Sequence, residues 1–163
     1  MHVATPLDPA TARKGESLFE FLPRCVGGTF FHACELERKR LGGAWWTPRN
    51  RIVQGAAASA AWALVLARYS RNWRAIPVFY LMGLASASLL EAVNFVEHWG
   101  LERRLVRPGV YEPVDPRHSW NAANVLTNTV LYKLQRHSDH HANASRPYEL
   151  LRNFVESPQL PTG

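Results

Sequence analysis

The chain has 163 residues, enough for one domain or a piece of a larger one. Its formal charge of +6 and six tryptophans point to an anionic partner, nucleic acid or a membrane surface, with tryptophan favouring the membrane interface. Cys25 and Cys34 form no C-x-x-C pair and suggest no disulfide framework, so a reduced setting is expected.

In chain order, residues 1–15 are rich in Pro, Thr and Ala and read as a loop, with no apolar run of the kind a signal peptide needs. Residues 16–43 read as an amphipathic segment in two pieces. The first, Glu16 to Leu22, ends at Pro23; the second, Thr29 to Leu41, sets Phe30, Phe31 and Cys34 toward one side and ends in the charged "ELERKR". Gly42 and Gly43 stop it. Two uncharged runs follow, Ile52 to Ala67 and Ala75 to Leu90, separated by "RYSRNWR". Each reaches membrane-spanning length once the flanking Trp, Tyr and Arg are included. Buried helices of a soluble domain have runs of similar length, but these two are apolar on all faces and flanked by Trp and Arg, which favours a membrane hairpin within 52–98. The Lys/Arg distribution does not decide its orientation. A polar stretch with turn signals precedes Asn121 to Arg136, which reads as helical and leads into the histidine-bearing region, 117–152; a Pro-rich loop ends the chain.

Two groups of residues carry chemistry. His137, His140 and His141 form H-x-x-H-H, and positions i, i+3 and i+4 share a helix face. Three imidazoles on one face suit a metal ion, though a solvated His/Asp turn has the same spacing. Asp139 points off that face and is a candidate acceptor that orients a ligand imidazole. Glu91, Asn94 and His98 form a polar stripe at the end of the second apolar run, where polar groups in a membrane helix usually mark function. Glu97 is adjacent but off the stripe. Ala85, Ser88, Leu89 and Ala92, near His98 on the same helix, are candidates to line a substrate channel. His118 reads as structural, His32 as packed and His2 as an unlikely ligand in a loop. The arginines sit scattered at helix ends, without interleaved aromatics, which gives nucleic-acid binding little support beyond the charge.

The strings "NFVEHWGLER" and "HSWNAANVLTNTVLYKLQRHSDHHA" closely resemble two signature stretches of the bacterial alkane 1-monooxygenases, membrane-bound non-haem di-iron hydroxylases related to the fatty-acid desaturases. "HVATPLDPATARKGESLFEFLPR" and "ESPQLPTG" match as well, so the resemblance covers essentially the whole chain. It implies an all-α fold: a fragment of an integral membrane helical bundle with two transmembrane helices, an amphipathic segment and histidine-bearing helices on the cytoplasmic side of the bacterial inner membrane. It also implies a reaction, insertion of one atom of O2 into the terminal methyl of a medium- or long-chain n-alkane to give a 1-alkanol. Reduced rubredoxin, served by an NADH-dependent reductase, would supply the electrons. Carried over motif by motif, the iron ligands are His98, His137, His140 and His141, with no catalytic side chain beyond them.

The departure is in the histidine motifs. Two of the family's four match; the H-E-x-x-H-like and E-H-x-x-x-H-H-like boxes have no counterpart here. The resemblance therefore implies the C-terminal half of such an enzyme, with an incomplete site for two irons and no activity alone. A related hydroxylase or desaturase acting on another apolar substrate, and a non-catalytic truncated membrane protein, are the alternatives.

Overall fold

The computed structural model describes residues 2–161. The chain divides into two compact units: residues up to Cys25 together with Glu91 onward, and Val26–Leu90.

Helix α1 runs Leu18–Arg40 without a break. Ser17 and Glu20 start it as a reciprocal capping pair: Glu20 Oε2 accepts from the Ser17 N–H at 2.9 Å, and the Ser17 hydroxyl accepts from the Glu20 N–H at 3.4 Å. The expected break at Pro23 does not occur. Proline costs one helical hydrogen bond, here to the carbonyl of Phe19, and Phe19 is an exposed residue near the helix start. The expected stop at Gly42 and Gly43 is present: both have positive φ, and the Gly43 N–H reaches back to the Arg38 carbonyl at 2.9 Å.

Helices α2 (Arg51–Ser70) and α3 (Ala75–His98) are each long and apolar enough to cross a membrane. At a rise of about 1.5 Å per residue they extend roughly 30 and 36 Å. Within the 26–90 unit their large side chains stay outward; Trp62, Leu64, Val65, Leu81, Met82 and Leu84 are all exposed. Apolar surface of this extent suits lipid rather than water. Between the C-terminal half of α2 and the N-terminal half of α3 lies an apolar groove of about 640 Å³, lined by Leu66, Tyr69, Val78, Phe79 and Met82 among others.

Asn50 anchors the entry to α2. It is fully buried, its Oδ1 accepts from the N–H groups of Ile52 (2.9 Å) and Val53 (3.3 Å), and its amide donates to the Trp45 carbonyl at 2.9 Å. Asn50→Ala removes the cap and is expected to cost about 1–2 kcal/mol, read as a lower unfolding midpoint in detergent. Past α2 the chain turns at Arg71 in the left-handed region (φ 52°), and the Asn72 N–H closes on the Ala67 carbonyl.

The other unit packs the N-terminal segment onto the start of α1. Ala12, Phe21 and Cys25 form its buried cluster, with Phe95 5.3 Å from Phe21. Residues 2–15 are irregular, as read from the sequence, yet held: Arg24 pairs with Glu16 at 2.6 Å and donates to the carbonyls of Pro9 and Thr11. A short antiparallel pair, β1 (Leu105–Arg107) and β2 (Val110–Tyr111), turning at Gly109 (φ 75°), adds a little sheet to the expected all-α fold.

The helix expected over Asn121 to Arg136 is much shorter. Helix α4 spans Val125–Val130 only, and helix α5, His137–Ala142, is separate. Tyr132 and Lys133 adopt positive φ (51° and 57°). Asn128 stabilises this break by donating to the carbonyls of Ala122 (2.8 Å) and Asn124 (2.7 Å), while its own carbonyl accepts from the Lys133 N–H.

Candidate metal centre

Two elements bring the histidines together. His98 is the last residue of α3, and His137 and His141 lie one turn apart on α5. Buried Asn121 ties down the start of α5: its Oδ1 accepts from the Ser138 N–H at 3.1 Å, and its amide donates to the Ser138 hydroxyl at 2.8 Å. The backbone of Asn121 also pairs with the C-terminal segment, through Pro158 and Leu160. The sequence reading assigned Asn121 no role, because an asparagine beside a turn signal looks like any other turn residue.

The three Nε2 atoms form a small triangle. His98 and His137 are 3.0 Å apart, His98 and His141 3.2 Å, and His137 and His141 2.8 Å. Three lone pairs facing one another at such distances repel unless a proton or a cation lies among them. Donors about 2.1 Å from one ion and at right angles to each other lie about 3.0 Å apart, so the triangle fits three adjacent positions on a metal. The tautomer of His98 supports this. Its Nδ1 approaches the His118 carbonyl at 3.3 Å; a carbonyl only accepts, so Nδ1 carries the proton and Nε2 is free to ligate. His118 is structural, as expected: its Nδ1 accepts from the Asp115 N–H and its Nε2 faces Glu112.

His140 does not join the triangle. Its ring is exposed, 5.7 Å from the His137 ring and 5.6 Å from that of His141. On so short a helix, positions i and i+4 converge on His98 while i+3 splays outward.

The expected outer partners are placed differently from the sequence reading. Asp139 touches no imidazole. It is fully buried and accepts from Asn143 (2.7 Å), Arg146 (2.8 Å) and the Arg152 N–H (2.8 Å), clamping α5 to the segment that follows. Glu91 and Asn94 bond each other at 3.1 Å, and the Cys25 thiol donates to Glu91 at 2.9 Å, so this stripe faces α1. Glu97, read as off the stripe, is the carboxylate beside the cluster: it is buried, with Oε2 3.2 Å from His137 Nδ1. The contact is off the hydrogen-bond axis, leaving both atoms unsatisfied; the Leu134 carbonyl also approaches this ring without an aligned bond to Nδ1. Of the proposed channel residues, Ala92 lines an apolar cavity of about 250 Å³ with Val93, Val96, Glu97, Trp120 and Leu131. Ala85 and Leu89 are exposed and Ser88 is half-buried.

Burial, then the neighbouring imidazoles, pushes His137 down to about 2 and His141 to about 3. Both are therefore neutral at physiological pH, the form in which an imidazole can ligate a metal. The unfolded chain, with imidazoles near their ordinary value of about 6.5, binds more protons below that value than the folded chain does. Stability contributed by these groups is full above about pH 6.5 and falls as the pH drops toward the folded values. The metal-free chain is expected to melt at a lower temperature near pH 5 than near pH 7.5, with His137→Ala flattening the difference, as followed by circular dichroism.

Membrane-length helices, one of them ending at a largely buried imidazole triangle, define a helical membrane protein with a cluster of histidines that could hold a metal ion. Comparison with known proteins agrees: the chain belongs to the fatty acid desaturase family, whose model matches residues 2–162. It is 43% identical to alkane 1-monooxygenase of Acinetobacter baylyi over 98% of this chain and 40% of that protein. It is also 43% identical to alkane 1-monooxygenase 2 of Pseudomonas aeruginosa, over 100% of this chain and 44% of that protein. A more distant relative, the xylene/toluene monooxygenase hydroxylase component of Pseudomonas putida, is 24% identical over 99% of this chain. The chain thus spans about two fifths of the length of these relatives. The family implies non-haem iron, and imidazole nitrogen is a suitable donor for it.

Proposed function

We propose that the chain forms part of a membrane alkane 1-monooxygenase that hydroxylates the terminal methyl of medium- and long-chain n-alkanes. The observation that carries this is the convergence of His98, His137 and His141 at the end of an apolar helix, in a chain similar throughout to alkane 1-monooxygenases. The overall reaction balances as R–CH3 + O2 + 2e⁻ + 2H⁺ → R–CH2OH + H2O. Reduced rubredoxin, recharged by an NADH-dependent reductase, supplies the electrons. The membrane is the bacterial inner membrane, with the histidines on its cytoplasmic side.

His98, His137 and His141 hold one of two irons. Exposed His140 contributes to the second, together with donors from outside this chain, since four histidines are too few for both. Bound iron supplies the activation of O2 that an unactivated C–H bond requires. The protein's share is to present neutral imidazoles, hold them rigidly through Asn121 and Asp139, and keep water away. The alkane dissolves in the bilayer and approaches along apolar helix surface, with Ala92 and its neighbours near the cluster and Ala85, Ser88 and Leu89 further along α3.

A chimaera joining the N-terminal part of the Acinetobacter baylyi relative to this chain tests the reading. It is expected to convert octane to 1-octanol with rubredoxin and reductase, whereas the chain alone shows no turnover and at most substoichiometric iron. His140→Ala in the chimaera is expected to abolish turnover and lower iron content; full iron and activity in that variant would reject its ligand role. Likeness to the xylene/toluene enzyme component favours a second reading, a hydroxylase of alkyl side chains on aromatic rings. Product analysis across alkanes, alkylbenzenes and fatty acids separates the two.

A further inference from the structure

We propose that Glu97 is the positioning residue of the metal centre, accepting the Nδ1–H of His137 so that Nε2 of that ring is aimed at the ion. The proposal rests on the metal reading above and adds a residue to it. Glu97 lies behind the His137 ring, 3.2 Å from Nδ1, on the side away from the three converging Nε2 atoms, so it is not itself a ligand. It is 3% exposed, and neither carboxylate oxygen has a hydrogen bond. A buried carboxylate without a donor or a countercharge is costly. Among the described residues no Lys or Arg forms an ion pair with Glu97; the arginines of the unit that pair with carboxylates do so elsewhere, Arg24 with Glu16, Arg117 with Asp115, and Arg146 and Arg152 with Asp139. A cation held by the three imidazoles would supply the missing positive charge one ring away.

Geometry explains why this carboxylate and not its neighbours plays the part. Glu97 precedes the ligand His98 on α3, and its own carbonyl accepts from the Trp120 N–H at 2.8 Å, which fixes the end of that helix. Its carboxylate also borders the apolar cavity beside Ala92 and Trp120, so no water-rich surface competes for it there. A small rotation of the ring or the carboxylate aligns the 3.2 Å contact into a hydrogen bond. Such a bond fixes the tautomer and makes the metal-facing nitrogen more basic.

The test is Co²⁺ titration of the chain in lipid nanodiscs, following the visible ligand-field bands, for wild type, Glu97→Gln and Glu97→Asp. Glu97→Gln is expected to weaken Co²⁺ binding roughly 10–100-fold and to shift the bands, and Glu97→Asp to recover part of the affinity. The melting temperature of the metal-free Glu97→Gln chain should equal or exceed that of wild type, since without the ion the buried carboxyl has no hydrogen-bond partner to lose. Wild-type affinity and bands in Glu97→Gln would overturn the role and assign the ring's orientation to the Leu134 carbonyl. A lower metal-free melting temperature with no recovery in Glu97→Asp would overturn it in favour of a packing role. No Co²⁺ bands in wild type would overturn the three-imidazole site itself, a failure distinct from that of Glu97 alone.

Discussion

Replacing His98 with alanine is expected to abolish metal binding at the triangle. His98 is the one imidazole of the triangle contributed by α3; the other two sit a turn apart on α5. Without it, His137 and His141 remain as a two-nitrogen site with no donor opposite. The loss in affinity should exceed the roughly 10–100-fold that follows removal of an outer partner. Metal analysis and Co²⁺ titration of the purified chain check this. His140→Ala serves as the contrast: its ring lies outside the triangle, so that variant is expected to keep the wild-type Co²⁺ affinity at the three-nitrogen site. Equal loss in both variants would mean that His140 swings inward and that the triangle is not the unit of binding. Circular dichroism confirms that the helices persist.

Asp139→Asn is expected to be the most damaging substitution outside the ligands. Asp139 sits between two of them in sequence, yet its carboxylate turns away from both to hold Arg146, Arg152 and Asn143. Burial alone would raise its pKa. Hydrogen bonds from Arg152 and Asn143, and the charge of Arg146, outweigh burial and hold it at about 2. The sign follows: the folded chain binds the proton less readily than the unfolded one, so the stabilisation is full above about pH 4 and is lost as the pH falls through about 2. At neutral pH the asparagine variant should lose about 2 kcal/mol, less than a fully buried ion pair because both arginines keep access to water. Because α5 is only six residues long, loosening this clamp should also weaken metal binding. A variant with unchanged melting temperature and metal affinity would show that Asn121 alone fixes α5.

Much of the architecture was legible because it rests on local signals. Uncharged runs bounded by Trp and Arg marked α2 and α3, since composition and length alone decide whether a helix can bridge a bilayer. The stop at Gly42 and Gly43 was visible because positive φ favours glycine. Pro23 misled, since proline ends a helix only where the lost hydrogen bond and the ring clash are not tolerated, and near the start of α1 they are. The stretch Asn121 to Arg136 misled in the opposite sense. Its apolar spacing suits a helix, but the side chain of Asn128 takes up backbone carbonyls and the chain turns through Tyr132 and Lys133.

At the site, the sequence by itself determined the residue types and the spacing that make metal binding chemically sensible: one histidine at the end of an apolar helix, and three in H-x-x-H-H. Those are one-dimensional properties, carried by local periodicity and by likeness to a family. Which imidazoles meet, and which carboxylate stands behind them, only the tertiary structure decided. Sequence placed Glu91 and Asp139 near the ligands and set Glu97 aside. Folding turned Glu91 toward Cys25 and Asp139 toward two arginines, and brought Glu97 against His137. The physical reason is that a side chain's neighbours across a junction of α3 and α5 depend on the turn at Tyr132 and Lys133 and on the grip of Asn121, neither of which helical spacing encodes.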